Sequence, residues 1–279
     1  MTNLKQLNKA EIFTQLHYGK NPLILPNAWD VLSAKLFAQA GAKAIGTTSA
    51  GIAASLGLSD GQKVPKEMFL SITEQIVNAV DVPVTVDIEA GYGFDLLSIC
   101  DTVKKVIDMG GAGINIEDTI FDPSIKLEDM SEQCKKISAI KSTCENCNYP
   151  LFINARTDVY WLNPLPEKIS SETALRRLLA YQNCGADGLF IPGLTNLFEI
   201  SRLVRAVSLP VNILGGAWVK SAADLATAGV SRISVGSTPC RATAAFIQNM
   251  AHQLIDQGDF SIFEDTPSYQ WLNELFNNT

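Results

Sequence analysis

Residues 84–93 read VTVDIEAGYG. The first half is a short β-branched run with the composition of a buried strand. The second half sets Asp87 and Glu89 two residues apart and follows them with Gly91 and Gly93. Acids are depleted from strands and costly to bury. A strand that runs into a pair of them therefore opens onto a site. The glycines let the chain turn away beside it.

The same shape recurs along the chain. Apolar runs stand at 23–28 (LILPNA), 44–50 (AIGTTSA), 83–89 (PVTVDIE), 113–118 (GINIED), 150–156 (PLFINAR), 187–192 (DGLFIP), 210–214 (PVNIL) and 232–236 (RISVG). Amphipathic stretches lie between them. Residues 66–79 put Phe69, Ile72, Ile76 and Val77 on one stripe, and residues 172–184 do so with Leu175, Leu178, Leu179 and Tyr181. Glycine turns at 41–43, 110–113, 185–187 and 228–230 fit helix C-terminal caps. Val82-Pro83 and Leu209-Pro210 mark strand starts. Eight strand-then-helix units predict a (β/α)8 barrel of the TIM type. A doubly wound open sheet is the competing architecture. The count of eight, and the lack of a GxGxxG opening the first helix, favour the barrel. One barrel domain is expected over residues 1–279: an N-terminal helix in about 1–22, the barrel over about 23–257 and a C-terminal extension over about 258–279. Extra helices are expected near 5–18, 239–257 and 268–276.

Composition narrows the partners. The chain has 279 residues, 47% hydrophobic and 18% charged, and can bury a large core. Its 22 basic and 29 acidic residues leave a net charge of −7, with no Lys/Arg-rich run. Nucleic acid and anionic membrane surfaces are thus poor partners. No uncharged apolar stretch reaches the ~18 residues of a membrane span. The N-terminus does not look like a signal peptide. Six scattered cysteines read as reduced thiols of a cytoplasmic protein. Cys144 and Cys147 have redox or zinc half-site spacing, but no second pair stands at matching distance. His17 and His252, the two histidines, fall in predicted helices, away from the strand ends. A histidine triad or zinc centre is not expected.

In such barrels the chemistry sits at the C-terminal strand ends. Those ends carry Asn27, Trp29 and Asp30, then Thr47, Thr48 and Ser49, then Asp87 and Glu89, then Asn115, Glu117 and Asp118, and finally Asn154, Arg156 and Asp158. Alternation puts Asp87 with Glu89, Asn115 with Glu117, and Asn154 with Arg156 on shared faces. Close acids repel unless a cation lies between them. Oxygen ligands without His or Cys suit Mg²⁺ or Mn²⁺. Arg156 is placed to clamp a substrate carboxylate or phosphonate. The same charges also read as a buried ion-pair cluster, with Arg156 neutralising Glu117 or Asp87 and no ligand present. Buried pairs rarely add net stability, which favours the ligand. Asp60 reads as a turn residue beside Gly61. Trp29-Asp30 reads as a helix cap or a pocket floor.

The segments LPNAWD (25–30), TTSAGIAASLGLSDG (47–61), DIEAGYG (87–93), GINIED (113–118) and NARTD (154–158) together resemble the isocitrate lyase/phosphoenolpyruvate mutase superfamily. The resemblance runs from about Leu25 to about Ile247. It implies a barrel whose last helix is swapped between subunits, in a dimer of dimers. It implies a metal site for Mg²⁺ at Asp87, Glu89 and Glu117, directly or through water, with Glu89 in place of the usual aspartate. Asp60 then lies by the metal and a small carboxylate substrate. Arg156 holds that substrate, and Thr48, Ser49 and Ala50 grip its carboxylate; Trp29, Asp87 and Asn154 complete the substrate-binding set. The implied chemistry makes or breaks a C–C or P–C bond next to a 2-oxo acid, through a metal-stabilised enolate, with Arg156, Glu117 and Asp60 as the catalytic set. A protein that binds a 2-oxo acid with little turnover is a further alternative. One segment departs from the pattern. IEDTIFDPSIKLEDMSEQC (116–134) has neither the Lys-Lys/Arg-Cys-Gly-His run of the lyases nor the Lys and Asn-Ser of the mutase branch. Asp122 and Lys126 are its nearest ionisable groups, and Cys134 comes too late in the chain. The metal and carboxylate half of the site matches; the half that specifies the reaction does not.

Overall fold

The computed structural model describes residues 4–120, 127–162 and 167–277. Its strands are β1 (Leu23–Leu25), β2 (Asn27–Ala28), β3 (Ile45–Thr47), β4 (Val84–Asp87), β5 (Gly113–Glu117), β6 (Phe152–Arg156), β7 (Gly188–Ile191), β8 (Val211–Leu214) and β9 (Arg232–Ser234). All pair in parallel, in the order β1-β9-β8-β7-β6-β5-β4-β3-β2. The two ends of that order are neighbours in the chain. Pro26, which has no N–H to give a ladder, is all that parts β1 from β2. β1 pairs with β9, Leu23 beside Arg232, while β2 pairs with β3, Asn27 beside Gly46. The single run at 23–28 therefore closes the ring, and the eight expected strand positions form a TIM-type α/β barrel.

The helices are α1 (Leu4–Leu16), α2 (Val31–Gln39), α3 (Ser49–Ser55), α4 (Lys66–Asn78), α5 (Leu96–Asp108), α6 (Met130–Asn146), α7 (Val159–Leu162), α8 (Glu167–Asn183), α9 (Leu197–Ala206), α10 (Ala222–Thr227), α11 (Thr238–His252) and α12 (Tyr269–Asn277). Gly41, Gly110, Gly185 and Gly229 follow α2, α5, α8 and α10 at positive φ, as capping glycines do. α4 buries Phe69, Ile76 and Val77 as its stripe predicts. α8 buries Leu178 and Tyr181 but leaves Leu179 37% exposed, so its inward stripe is narrower than expected. No described helix is long and apolar enough to cross a membrane.

Two strands stop short of their apolar runs. β3 ends at Thr47, and Ser49 already opens α3. β4 ends at Asp87, and Glu89 sits at φ +49. The alternation that would put Glu89 on the face of Asp87 does not extend that far. Gly91 follows at φ +112, where an added Cβ would stand 2.9 Å from Ile99.

The barrel floor is closed by α1. Phe13 is fully buried, 5.6 Å from Phe152 and edge-on to it. A Cβ on Gly113 would come within 2.8 Å of the Phe13 ring. His17, one residue past α1, stacks on Phe152 at 4.0 Å. Above this aromatic plug lies a buried polar layer. Arg232 rests over the Phe13 ring and donates from Nη2 to Asn115 Oδ1 at 3.2 Å, and Asn154 donates to the same oxygen at 2.8 Å. Register places Glu117 and Arg156 two residues beyond Asn115 and Asn154, one layer nearer the mouth.

The floor sets a pH dependence. His17 Nδ1–H donates to the Phe13 carbonyl, which leaves Nε2 buried without a partner. Burial, reinforced by the nearby Arg232 charge, lowers the His17 pKa to about 3. Between pH 3 and 6.5 the unfolded chain binds a proton that the folded chain refuses. His17 therefore makes stability rise with pH across that window, by up to about 1.4 kcal/mol per unit. His17→Phe should flatten the unfolding free energy against pH there, read from denaturant melts at pH 4 to 7; an unchanged slope would contradict this account.

Candidate active site

Asp87 ends β4 at the barrel mouth, and its two oxygens differ. Oδ2 accepts from Ser49 Oγ at 3.1 Å and from Ser49 N at 3.4 Å. Oδ1 is buried with no protein partner. Burial raises the Asp87 pKa, Arg156 draws it back and Asp60 adds to the rise. Glu89 is held from both sides, by the loop before α4 and by the loop that leaves the strand. Gln62 N donates to Oε2 and the Tyr92 hydroxyl to Oε1, each at 2.7 Å. Tyr92 in turn stacks on Phe69 at 4.5 Å. Burial, with the charges of Asp87 and Asp60, pushes Glu89 up to about 7 against the pull of its Tyr92 bond.

Arg156 ends β6 between two acids. Its Nη1 meets Glu117 Oε2 at 2.5 Å, and its Nε meets Asp158 Oδ1 at 2.6 Å. Burial works against the charge, but Asp158, Glu117 and Asp87 outweigh it and hold the guanidinium protonated. Burial likewise drives Glu117 well above the ordinary carboxylate range, with Arg156 opposing. Asp158 Oδ2 accepts from the Thr119 hydroxyl. Two edges of the guanidinium are thereby fixed by the protein.

A further layer holds this geometry. Asp118 Oδ1 accepts from Asp158 N at 2.9 Å; its Oδ2 accepts from Arg177 Nη1 at 3.0 Å and from the Tyr181 hydroxyl at 2.7 Å. Arg177 Nη2 also donates to the Glu128 carbonyl at 2.7 Å, and Glu128 N to the Asp118 carbonyl at 2.8 Å. Residues 118 and 128 are thus tied together directly. Asp122 and Lys126 lie outside the described residues.

The remaining expected site residues divide. Thr48 caps α3, its Oγ1 accepting from Gly51 N at 3.3 Å, and Ile52 N bonds the Thr48 carbonyl. Ser49 spends its amide and hydroxyl on Asp87, so Ala50 carries the first-turn amide that these bonds leave over. Trp29 lies against Gly51 at the mouth, while Asp30 caps α2 through Ser33. Asp60 is exposed on the loop before α4, within electrostatic reach of Asp87 and Glu89. Asn154 is buried one layer below Arg156, with its amide given to Asn115. Cys134 lies on α6, beyond the loop. His252 pairs with exposed Asp256. Cys144 and Cys147 are free thiols at the end of α6. Tyr92, Thr119, Arg177 and Arg232 are absent from the expected site, and Tyr181 is expected only on the apolar stripe of its helix. Only Arg232 carried a plain signal, a charge inside the apolar run RISVG.

The donor set, carboxylate oxygens without His or Cys, suits a hard divalent cation. Among the described residues, no three His, Cys, Asp or Glu side chains converge to hold a metal together. Glu89 and Glu117 already bind protein groups, which leaves them to reach an ion at Asp87 through water, one of the two modes the resemblance implies. Asp87 alone keeps a free buried oxygen. The charge balance agrees. Asp87, Glu89, Glu117, Asp118 and Asp158 face Arg156, Arg177 and Arg232, five carboxylates against three guanidiniums. With every group ionised, two negative charges would be left over where buried charge is expensive, and the raised carboxyls of Asp87, Glu89 and Glu117 are the response to burial and that excess when no cation is present.

Comparison with known proteins gives the family. The family model described as phosphoenolpyruvate phosphomutase matches residues 13–255. A Mycobacterium tuberculosis (strain H37Rv) protein of uncharacterised function is 37% identical, over 81% of this chain and 82% of its own. The 2-methylisocitrate lyase of Salmonella typhimurium is 30% identical, over 69% of this chain and 65% of its own. The crystal structure of a provisionally named phosphonomutase from Burkholderia cenocepacia J2315 superposes with a TM-score of 0.85 at 37% identity, covering 88% of this chain and 99% of that one. Its relatives are lyases and mutases, and the chain belongs to the isocitrate lyase/phosphoenolpyruvate mutase superfamily.

Proposed function

We propose that the chain is a Mg²⁺-dependent enzyme that cleaves a C–C bond of a small 2-oxo acid or related carboxylate, by lyase or hydrolase chemistry through an enolate. The observation that carries this reading is the unpartnered, buried Oδ1 of Asp87 beside a pinned Arg156. Asp87 would hold the ion directly, with Glu89 and Glu117 reaching it through water; Mn²⁺ suits the same oxygens. A divalent cation there supplies positive charge that polarises a 2-oxo group and its carboxylate. Arg156, locked by Glu117 and Asp158, presents its remaining N–H groups to the substrate anion without loss of side-chain freedom. The Thr48–Ala50 turn offers a backbone amide to the carboxylate, and Trp29 walls that end of the mouth. Glu117 acts by orienting Arg156, and Asp60 adds negative field at the open side. Six free thiols fit a reducing, cytoplasmic setting.

P–C chemistry is the second reading, favoured by the phosphoenolpyruvate phosphomutase model and the Burkholderia structure. Phosphonopyruvate shares the carboxylate and 2-oxo half and differs at the bond that breaks. Oxaloacetate, 2-oxo acids and malate-type acids should be assayed with Mg²⁺, beside phosphonopyruvate followed by phosphorus NMR. C–C cleavage that a chelator abolishes and Mg²⁺ restores is expected. Turnover of phosphonopyruvate alone would select the second reading, and tight binding without turnover of any acid would overturn both. Asp87→Asn and Arg156→Lys should each lower kcat/KM about 100-fold or more while the melting temperature stays near that of the parent.

The chain also offers a place for a second copy. α11 buries none of its residues, and Phe246 and Ile247 are 56% and 51% exposed. The barrel wall at β1 is correspondingly bare. Ile24 is 49% exposed, above a groove of about 920 Å³ bounded by Ile12, Leu16, Pro26 and Phe37. We propose that α11 of a neighbouring subunit covers this wall in a swapped dimer, and that two dimers join. Light scattering should give the mass of four chains, and Phe246→Asp with Ile247→Asp should reduce it. A monomeric parent would contradict the swap.

A further inference from the structure

Outside the barrel, α6 and the exit of α8 meet along a seam. On α6, Cys134, Ser138 and Lys141 are spaced four and three residues apart and so share one helix face. All three reach the segment that follows α8. Cys134 stands one helical turn before Ser138 on this face, which places its thiol beside Cys184, the residue whose carbonyl Ser138 holds. Ser138 Oγ donates to the Cys184 carbonyl at 3.1 Å, and Lys141 Nζ meets Asp187 Oδ1 at 2.8 Å. Two of these contacts fix the backbone around Cys184 independently of the sulfurs. Both thiols are free and half-buried, open to a small molecule.

We propose that Cys134 and Cys184 form an oxidisable dithiol, a modification site at which a hydroperoxide closes a disulfide between α6 and the exit of α8. Burial and the neighbouring Cys184 push the Cys134 thiol up to about 12, so Cys134 keeps its proton at neutral pH. In the proposed step Cys184 is the attacking sulfur and Cys134 the resolving one. It takes one peroxide oxygen, the O–O bond breaks, and the thiol proton leaves with the departing hydroxide as water. Cys134 next attacks the resulting sulfenic sulfur. The S–S bond forms as the S–O bond breaks, and the second thiol proton leaves in a second water. Two thiols lose two electrons and two protons, and the peroxide takes up both. The bridge would lie beside Arg177, whose charge acts on Cys134 and whose guanidinium ties Asp118 to Glu128. Closing it would stiffen the helix pair that holds Asp118 and Glu128 together.

The test needs neither substrate nor metal. The full chain is treated with a small excess of hydrogen peroxide, alkylated, digested and mapped by mass spectrometry. Free thiols should fall from six to four, one cross-linked peptide should join Cys134 to Cys184, and dithiothreitol should restore six. Cys134→Ser should halt Cys184 at the sulfenic acid, trapped with dimedone, and hydrogen exchange of residues 127–137 should slow only in the oxidised parent. A count that stays at six, a bridge joining any other pair, or sulfonic acid without a bridge would overturn the proposal.

Discussion

A carboxylate that loses its water must find positive charge, and this barrel does not supply enough of it. Five buried acids crowd the ends and edges of three adjacent strands, and three guanidiniums answer them. Asp87 keeps one oxygen for which the protein offers nothing. Such a deficit is expensive in a folded chain unless a cation completes it. The rest of the mouth is arranged around that fact. Arg156 is pinned so that it cannot swing over to neutralise Asp87, and Glu89 is held back by Gln62 and Tyr92.

The closed ring makes this crowding rigid. Ladder register puts Asp87 beside Asn115, and Glu117 beside Arg156. The polar layer of Asn115, Asn154 and Arg232 supports the acids from below, and the Phe13–Phe152–His17 plug seals the floor. Asp118, Arg177 and Tyr181 perform the same service from the side by fixing Asp158, which fixes Arg156. Ligand-facing groups are few, and each is backed by groups that meet no ligand. If the site acts on a small acid, as proposed, it needs that backing, because orientation rather than contact area must supply the selectivity.

Much of this was legible in the residues. The eight apolar runs and the capping glycines follow local rules, and those rules held from Leu23 to Ser234. Asp87, Glu117 and Arg156 were found because charge in a strand is unusual wherever the strand lies. What could not be read was where strands end. Period-two alternation carries no information about the left-handed turn at Glu89, so its carboxylate was expected on the face of Asp87. An amide at a strand end looks the same in either layer, and only closing the ring places Asn154 one layer beneath Arg156, with its amide given to Asn115. Arg177 and Tyr181 sit on a helix among other polar residues, and their bonds to Asp118 depend on packing that no local pattern encodes.

The claim that joins these observations is that the mouth is completed by one divalent ion at Asp87. Anomalous diffraction from crystals grown with Mn²⁺ and oxalate measures this directly. A single strong peak beside Asp87 Oδ1, with oxalate between it and Arg156, and its loss in Asp87→Asn, is the result the account predicts. Oxalate bound at Arg156 with no anomalous peak near Asp87 would contradict it.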